Sequence, residues 1–351
     1  MGKKAFLVAN DFGESACIEK IDAELKNQGY ETVKVLGKGK NLTLTYEMVK
    51  QASEAGILIT AISEFHETEV KLAVAVRKAR PDMPIVVYAP GWYAFRIKGA
   101  IALRGIADLL LVSNQREVSE AETLYPRAKK VAAVGNLLHE EFYPSCSVAE
   151  ARQKAVVEND RALIFIPGDK GPRINLPLFE SVVAAAHRER IQKHKPVVAI
   201  GIHPGDNTYL PDMYQNLSDK DVPVKIFTRD ILPSATLVLA CDLLVTALST
   251  LAVAAAFQRK PVIGFYCENL LADTEAVQGS RVINWELENN GAALVVHKES
   301  VDLLEKTMAV LLQTDSLPAK QMKINQMQNY PEPPVPGSTA KKAVELIKLL
   351  G

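Results

Sequence analysis

The sequence predicts an α/β chain of two doubly wound parallel-sheet domains facing across a cleft. Short apolar runs alternate with amphipathic stretches of helical spacing along nearly the whole chain. The runs, such as IVVYA at 85–89 and ALIFI at 162–166, are continuous, as in strands buried on both faces of a parallel sheet. The rhythm lapses between 139 and 160 and then restarts, and 351 residues suffice for two domains.

In order, the pattern places strands at 5–9, 30–36, 57–63, 85–89, 108–113 and 130–136. Between them it places helices at 16–28, 46–55, 70–79, near 99–103 and at 117–124, the first preceded by a turn-like NDFGES and closed by Gly29. Residues 1–142 therefore form the first domain, and 143–160 a connector carrying one amphipathic helix. The second domain, 161–330, restarts with a strand at 162–166 and continues with a helix at 176–187, a strand at 196–202, a helix around 211–217 and a strand at 222–228. A further helix then leads to a strand at 243–246, followed by a helix from Ser249-Thr250 to Lys260, which Pro261 stops, and a strand at 262–266. A late strand at 292–296 and a helix at 301–312 follow. Pro331, Pro333, Pro334 and Pro336 break the chain before a last helix, 338–350, with Ser338 as its cap.

Composition narrows the function. Lys+Arg and Asp+Glu both number 41, so no global charge favours nucleic acid or an anionic membrane, and only a local peripheral membrane contact stays open. The apolar stretch 235–257 is interrupted by Asp242 and is read as buried rather than transmembrane. The N-terminus lacks a signal-peptide core, and the four cysteines show neither metal spacing nor a C-x-x-C pair, which fits a reducing cytoplasm. The six histidines are scattered, so neither a metal nor a cofactor is expected. Dinucleotide, P-loop and nucleophile-elbow motifs are absent from the sequence.

In open α/β sheets ligands gather beyond the carboxyl ends of strands, so post-strand loops hold the candidates. PGDKGPRIN offers Gly168, Lys170 and Arg173, suited to a pyrophosphate through backbone N–H groups and cations, or to an ordinary turn. His203-Pro204 directly follows a strand, and Arg229 follows the next one. Ser249 and Thr250 open a helix, where free N–H groups and the helix dipole suit phosphate, although either hydroxyl also serves as a plain N-cap.

The order DLLVTALST, apolar helix, KPVIGFY resembles the donor-nucleotide end of two-domain GT-B glycosyltransferases, lipid A disaccharide synthase among them, and of the related UDP-N-acetylglucosamine 2-epimerases. His203-Pro204 followed by Ser249-Thr250 is similar to the His-Pro and Ser-Ser or Ser-Thr pairs that contact the donor phosphate in bacterial sialyltransferases and CDP-glycerol transferases. The resemblance implies Rossmann-like domains and a metal-independent transfer of a sugar, or a sugar-alcohol phosphate, from a UDP-, CMP- or CDP-linked donor. Gly168, Lys170, Arg173, His203, Ser249 and Thr250 would hold the donor phosphates, and the segment around Arg229 its base. It also implies a small-molecule or glycan acceptor on the first domain, a final helix crossing back to that domain, and a place in cell-envelope polysaccharide synthesis.

An attacking acceptor hydroxyl needs a carboxylate or imidazole to take its proton. Two post-strand loops supply them: NDFGES with Asp11 and Glu14, and SEFHETE with Glu64, His66 and Glu67. Asp11 and His66 are the catalytic candidates, with Glu14 on the acceptor side; a cap and a surface residue are the plain alternatives. PGWYAFR adds Trp92 and Arg96 for stacking and anion binding, or for packing. Two features depart from the family's pattern: the helix Glu that typically holds the donor ribose corresponds to Ala254, and the Gly before the Pro to Arg259 or Lys260. Two further readings follow, an epimerase of the same donor, which needs several acidic groups around the sugar, and a noncatalytic nucleotide-binding protein of this fold.

Overall fold

The structure, a computed structural model, describes residues 4–63, 67–91, 94–169, 171–206, 208–210, 212–278, 280–297 and 300–350. The chain divides into two compact units, Met1–Tyr143 with Pro334–Gly351, and Pro144–Pro333. The first unit holds the strands β1 (Lys4–Ala9), β2 (Glu31–Leu36), β3 (Ile57–Ala61), β4 (Ile85–Tyr88), β5 (Leu109–Val112) and β6 (Lys130–Ala133). They form one sheet in the order β2-β1-β3-β4-β5-β6. The second holds β7 (Leu163–Pro167), β8 (Val197–Gly201), β9 (Val224–Phe227), β10 (Leu243–Thr246), β11 (Val262–Tyr266) and β12 (Leu294–His297), in the order β12-β11-β10-β7-β8-β9.

Every paired strand runs parallel to its neighbour. The central strands β3, β4, β5, β7, β8, β10 and β11 are buried along their whole length, whereas the edge strands β2, β9 and β12 are partly exposed. That contrast is why the central runs read as unbroken apolar sequence. On one face of the first sheet, Ile18, Ile21 and Leu25 of the helix Phe12–Asn27 pack with Ala340, Ala343, Val344 and Ile347 of the helix Ser338–Ile347, so the last helix completes this unit's core.

Several local expectations give way to the structure. The first helix starts at Phe12 rather than residue 16, because Asp11 is extended and its carbonyl already accepts from Ser15 N at 2.9 Å; NDFGES is a helix start, not a turn. The helix after β7 starts at Pro172 rather than residue 176, since proline is well suited to a first helical position. Around 211–217 the described residues form only the short 3₁₀ turn Gln215–Leu217. Residues 144–160 belong to the second unit rather than to a separate connector. Arg152 explains this: it is buried and donates to Ala240 O, Glu158 O, Arg161 O and the Asp242 carboxylate. The helix Leu317–Asn329 was not anticipated. At the last helix Gly337, at φ +82°, provides the cap, while Ser338 is the first helical residue and its Oγ donates to Val335 O at 2.6 Å.

One contact ties β1 to the loop after β2. Gly37 N donates to Ala9 O, Gly39 N to Asn10 O at 2.8 Å, and Leu42 N to Asn10 Oδ1 at 3.0 Å, so the buried Asn10 is wrapped by the 37–42 loop. A Cβ on Gly37 would lie 2.3 Å from Asn10 Oδ1 and 2.5 Å from Lys40 O, and neither neighbour is the free end of a flexible chain. Gly37→Ala is therefore expected to destabilise the protein by about 1–3 kcal/mol, the usual cost of forced overpacking. Chemical denaturation of the two proteins measures it, and equal stability would refute the packing account.

Candidate functional site

Both sheets reverse direction at a switch point, where consecutive connections leave a strand on opposite sides. In the first unit this is at β1, which lies between β2 and β3; in the second it is at β7, between β8 and β10. The carboxyl ends of these strands are where chain geometry opens a crevice for a ligand.

In the second unit the loop after β7 carries Gly168. Its N–H donates to Gly201 O at 2.7 Å, and a Cβ there would lie 2.9 Å from the same oxygen, so glycine is required here by the approach of β7 to β8. The loop is then fixed by Asn175, which is buried. Its Oδ1 accepts from Asp169 N at 2.6 Å, and its Nδ2 donates to Asp169 O at 3.0 Å and to Asp206 Oδ2 at 3.4 Å. Asn175 thus joins the β7 loop to the β8 loop, a role that composition and periodicity did not single out. The sequence signal was its place as the last residue of the post-strand stretch PGDKGPRIN; in the structure it lies in the first turn of the helix Pro172–Ala186, whose N-cap Gly171 provides no side-chain cap. Arg173, the second residue of that helix, is exposed and pairs with Asp273 Oδ1 at 3.0 Å. Lys170 lies outside the described residues.

His203 follows β8 and is half-buried. Its Nδ1 accepts from Gly205 N at 2.9 Å, which sets the tautomer with hydrogen on Nε2, a donor suited to a phosphate oxygen. On the other side of β7, after β10, Thr246 Oγ1 accepts from Ser249 N at 3.2 Å and Ser249 Oγ from Leu251 N at 3.2 Å. Ser249 therefore caps the short helix Leu251–Phe257, and Thr250, at its N-cap position, is exposed with no side-chain cap bond. Ala254 is buried within that helix. Arg229 is exposed after the edge strand β9, two strands from β7. The sheet thus sets the loops of Ser249-Thr250, Gly168 and His203 side by side along one edge, and leaves Arg229 outermost.

In the first unit, Asp11 follows β1 and Ser63 follows β3, and the Ser63 hydroxyl donates to the Asp11 carboxylate. Glu14 lies in the first turn of the helix Phe12–Asn27. Sequence reasoning missed a third carboxyl, Glu69, in the first turn of the helix Thr68–Ala79 that follows β3. It is 1% exposed and neither of its oxygens has a hydrogen-bond partner. Burial pushes its pKa up to about 7, with the charges of Asp11 and Glu14 adding to the rise, while the backbone N–H groups of Glu69 and Asn10, near the carboxyl but not aligned for a well-formed hydrogen bond, pull it partly back. The helical spacing of 70–79 hid it, because a glutamate at a helix start ordinarily reads as a solvated dipole partner. His66 and Trp92 lie outside the described residues, as does Glu64. Arg96 is exposed and forked onto the Glu120 carboxylate, so its charge is already matched.

Elsewhere along the helix Thr68–Ala79, an open groove of about 840 Å³ is lined by Val70, Val74, Ile101 and Ala102, with Glu67 as the one described post-strand candidate at its wall. Among the described residues no group of three or more His, Cys, Asp or Glu could hold a metal ion, and no helix is long and apolar enough to cross a membrane.

A raised carboxyl pKa makes folding depend on pH. Below the ordinary value of 4.5 Glu69 is protonated in both states and carries no penalty. Between 4.5 and about 7 the folded protein keeps a proton that the unfolded chain releases, so stability falls as pH rises, by about 3 kcal/mol in all, and is level above. Glu69→Gln is expected to remove that part of the slope. Urea unfolding of both proteins from pH 4.5 to 8 measures the difference, and parallel curves would contradict it.

No protein-family model matches the sequence, and no curated protein matches it. Solved structures do resemble it in fold. UDP-GlcNAc 2-epimerase from Neisseria meningitidis bound to UDP-GlcNAc superposes with a TM-score of 0.66 at 10% identity, over 98% of this chain and all of that one (100%). Sucrose-phosphate synthase from Thermosynechococcus elongatus gives 0.61 at 12% identity over 99% of each chain. MurG from Acinetobacter baumannii gives 0.60 at 13% identity over 99% of each. The protein thus has the two-domain GT-B fold, two α/β units each built on a six-stranded parallel sheet, that GT-B glycosyltransferases share with UDP-N-acetylglucosamine 2-epimerases.

Proposed function

We propose that the protein is a nucleotide-sugar-dependent, metal-independent transferase that moves a sugar, or a sugar-alcohol phosphate, onto an acceptor hydroxyl. The observation that carries this is the β10-β7-β8 order, which ranges Ser249-Thr250, the 168–171 loop and His203 along one edge at the switch point. The uncapped start of the helix Pro172–Ala186, the hydrogen on His203 Nε2 and the exposed Thr250 hydroxyl are donors of the kind a nucleotide phosphate accepts from. Charge builds on that phosphate as the donor bond breaks, so donors fixed beforehand lower the barrier. In the first unit Asp11, oriented by Ser63, takes the proton of the attacking hydroxyl. Arg173 adds cationic charge beside the phosphate, exchanging its Asp273 contact for it.

A second reading, epimerisation of a UDP-sugar, is favoured by the three carboxyls Asp11, Glu14 and Glu69 gathered at the end of β1 and by the likeness to the Neisseria epimerase. Product analysis separates the two, because only the transferase releases free nucleotide in proportion to glycosylated acceptor.

The donor site is tested with His203→Asn, whose Oδ1 can still accept from Gly205 N while the Nε2 donor is gone. UDP or CDP affinity, by calorimetry, is expected to fall about tenfold, as for loss of one charge-assisted bond, with the melting temperature of the unliganded protein nearly unchanged. Unchanged affinity would remove His203 from the site.

A further inference from the structure

The polar groups at the end of β1 are not evenly satisfied. Asn10 is completely buried, and while its Oδ1 accepts from Leu42 N, its Nδ2 has no partner. Glu69 is buried beside it with both carboxyl oxygens unpartnered. Asp11, the next residue along the chain, accepts the Ser63 hydroxyl. A buried carboxylate without a well-formed hydrogen bond is costly, whereas a buried carboxylic acid costs far less.

We propose that Glu69 is a positioning residue that acts through Asp11: its buried carboxyl holds a proton, so that it adds no further negative charge beside the Asp11 carboxylate, where the acceptor hydroxyl must give up its own proton. The inference rests on the transferase reading above and deepens it. Carboxyls that share a small volume cannot all ionise together, and the environment decides which one keeps the proton. Here burial disfavours charge at Glu69, while the Asp11 carboxylate accepts the Ser63 hydroxyl. Among the described residues, the charges of Asp11 and Glu14 both oppose its ionisation. On its own helix, Lys71 pairs with Glu67. On the helix Tyr46–Glu54, which packs against it, Glu47, Lys50 and Glu54 are exposed, and Arg104 on the 98–105 stretch acts on Tyr125. No cation among these offsets the two carboxylates. Above neutral pH Glu69 ionises, and a further negative charge joins those of Asp11 and Glu14.

The test is a titration that needs no turnover. Protein labelled with ¹³C at the glutamate carboxyls is followed by NMR from pH 4 to 9, with the Glu69 signal identified by its absence in Glu69→Gln, or in Glu69→Asp if the first variant does not fold. The expected midpoint is about 7, and it falls by about half a unit or more in Asp11→Asn, which keeps an acceptor for Ser63 but removes the charge. A midpoint in the ordinary carboxylate range, or one that Asp11→Asn leaves in place, overturns the proposal. Where donor turnover is measured, the wild-type pH profile should bend at the Glu69 midpoint and the Glu69→Gln profile should not; a bend retained in Glu69→Gln also overturns it. Failure of the transferase reading shows separately, as absence of UDP or CDP binding to the wild-type protein.

Discussion

The parallel pairing of every strand is the constraint on which the rest depends. A parallel strand must return by a crossover, so helices cover both faces of each sheet and all strands of a sheet end on the same edge. Chemistry-bearing residues far apart in sequence are thereby brought to one line: Ser249 after β10, Gly168 after β7 and His203 after β8. Asp11 after β1 and Ser63 after β3 meet by the same rule, and their hydrogen bond is its direct consequence.

Such an edge carries a cost, because strand ends expose backbone groups and side chains that the sheet no longer satisfies. The two units meet it in a similar way, with a buried asparagine. Asn10 accepts from the backbone of the 37–42 loop and thereby fixes the loop after β2 against the end of β1. Asn175 does the same between the loops after β7 and β8, through Asp169 and Asp206. Two glycines, Gly37 and Gly168, are required because a Cβ would collide with the groups being drawn together. Glycine at these loops therefore serves close approach of backbone to backbone, and suitability for phosphate follows from the geometry rather than causing it.

The fold class was legible in the sequence because burial on both faces leaves unbroken apolar runs, such as IVVYA and ALIFI, that cannot be mistaken for one-sided strands. Helix starts were less legible. Asp11 and Pro172 begin helices whose first turns look like loops, since polar and small residues precede the apolar stripe. The post-strand candidates were readable from position alone, but their partners were not. Ser249 spends its hydroxyl on Leu251 N, Arg173 faces Asp273 and Arg96 faces Glu120, and each partner is distant in sequence or hidden in an ordinary cap. Glu69 was invisible for a related reason: at a helix N-terminus glutamate is common, and only tertiary burial sets this one apart.

The central claim is that a nucleotide phosphate binds at the carboxyl edge of β10, β7 and β8. A crystal structure of the protein soaked with UDP, and in parallel with CDP, tests it most directly. The account predicts phosphate density within hydrogen-bond distance of the backbone N–H groups at the start of the helix Pro172–Ala186 and of His203 Nε2, with Ser249-Thr250 alongside. Nucleotide bound at any other edge of the sheet, or none at saturating concentration, would contradict it.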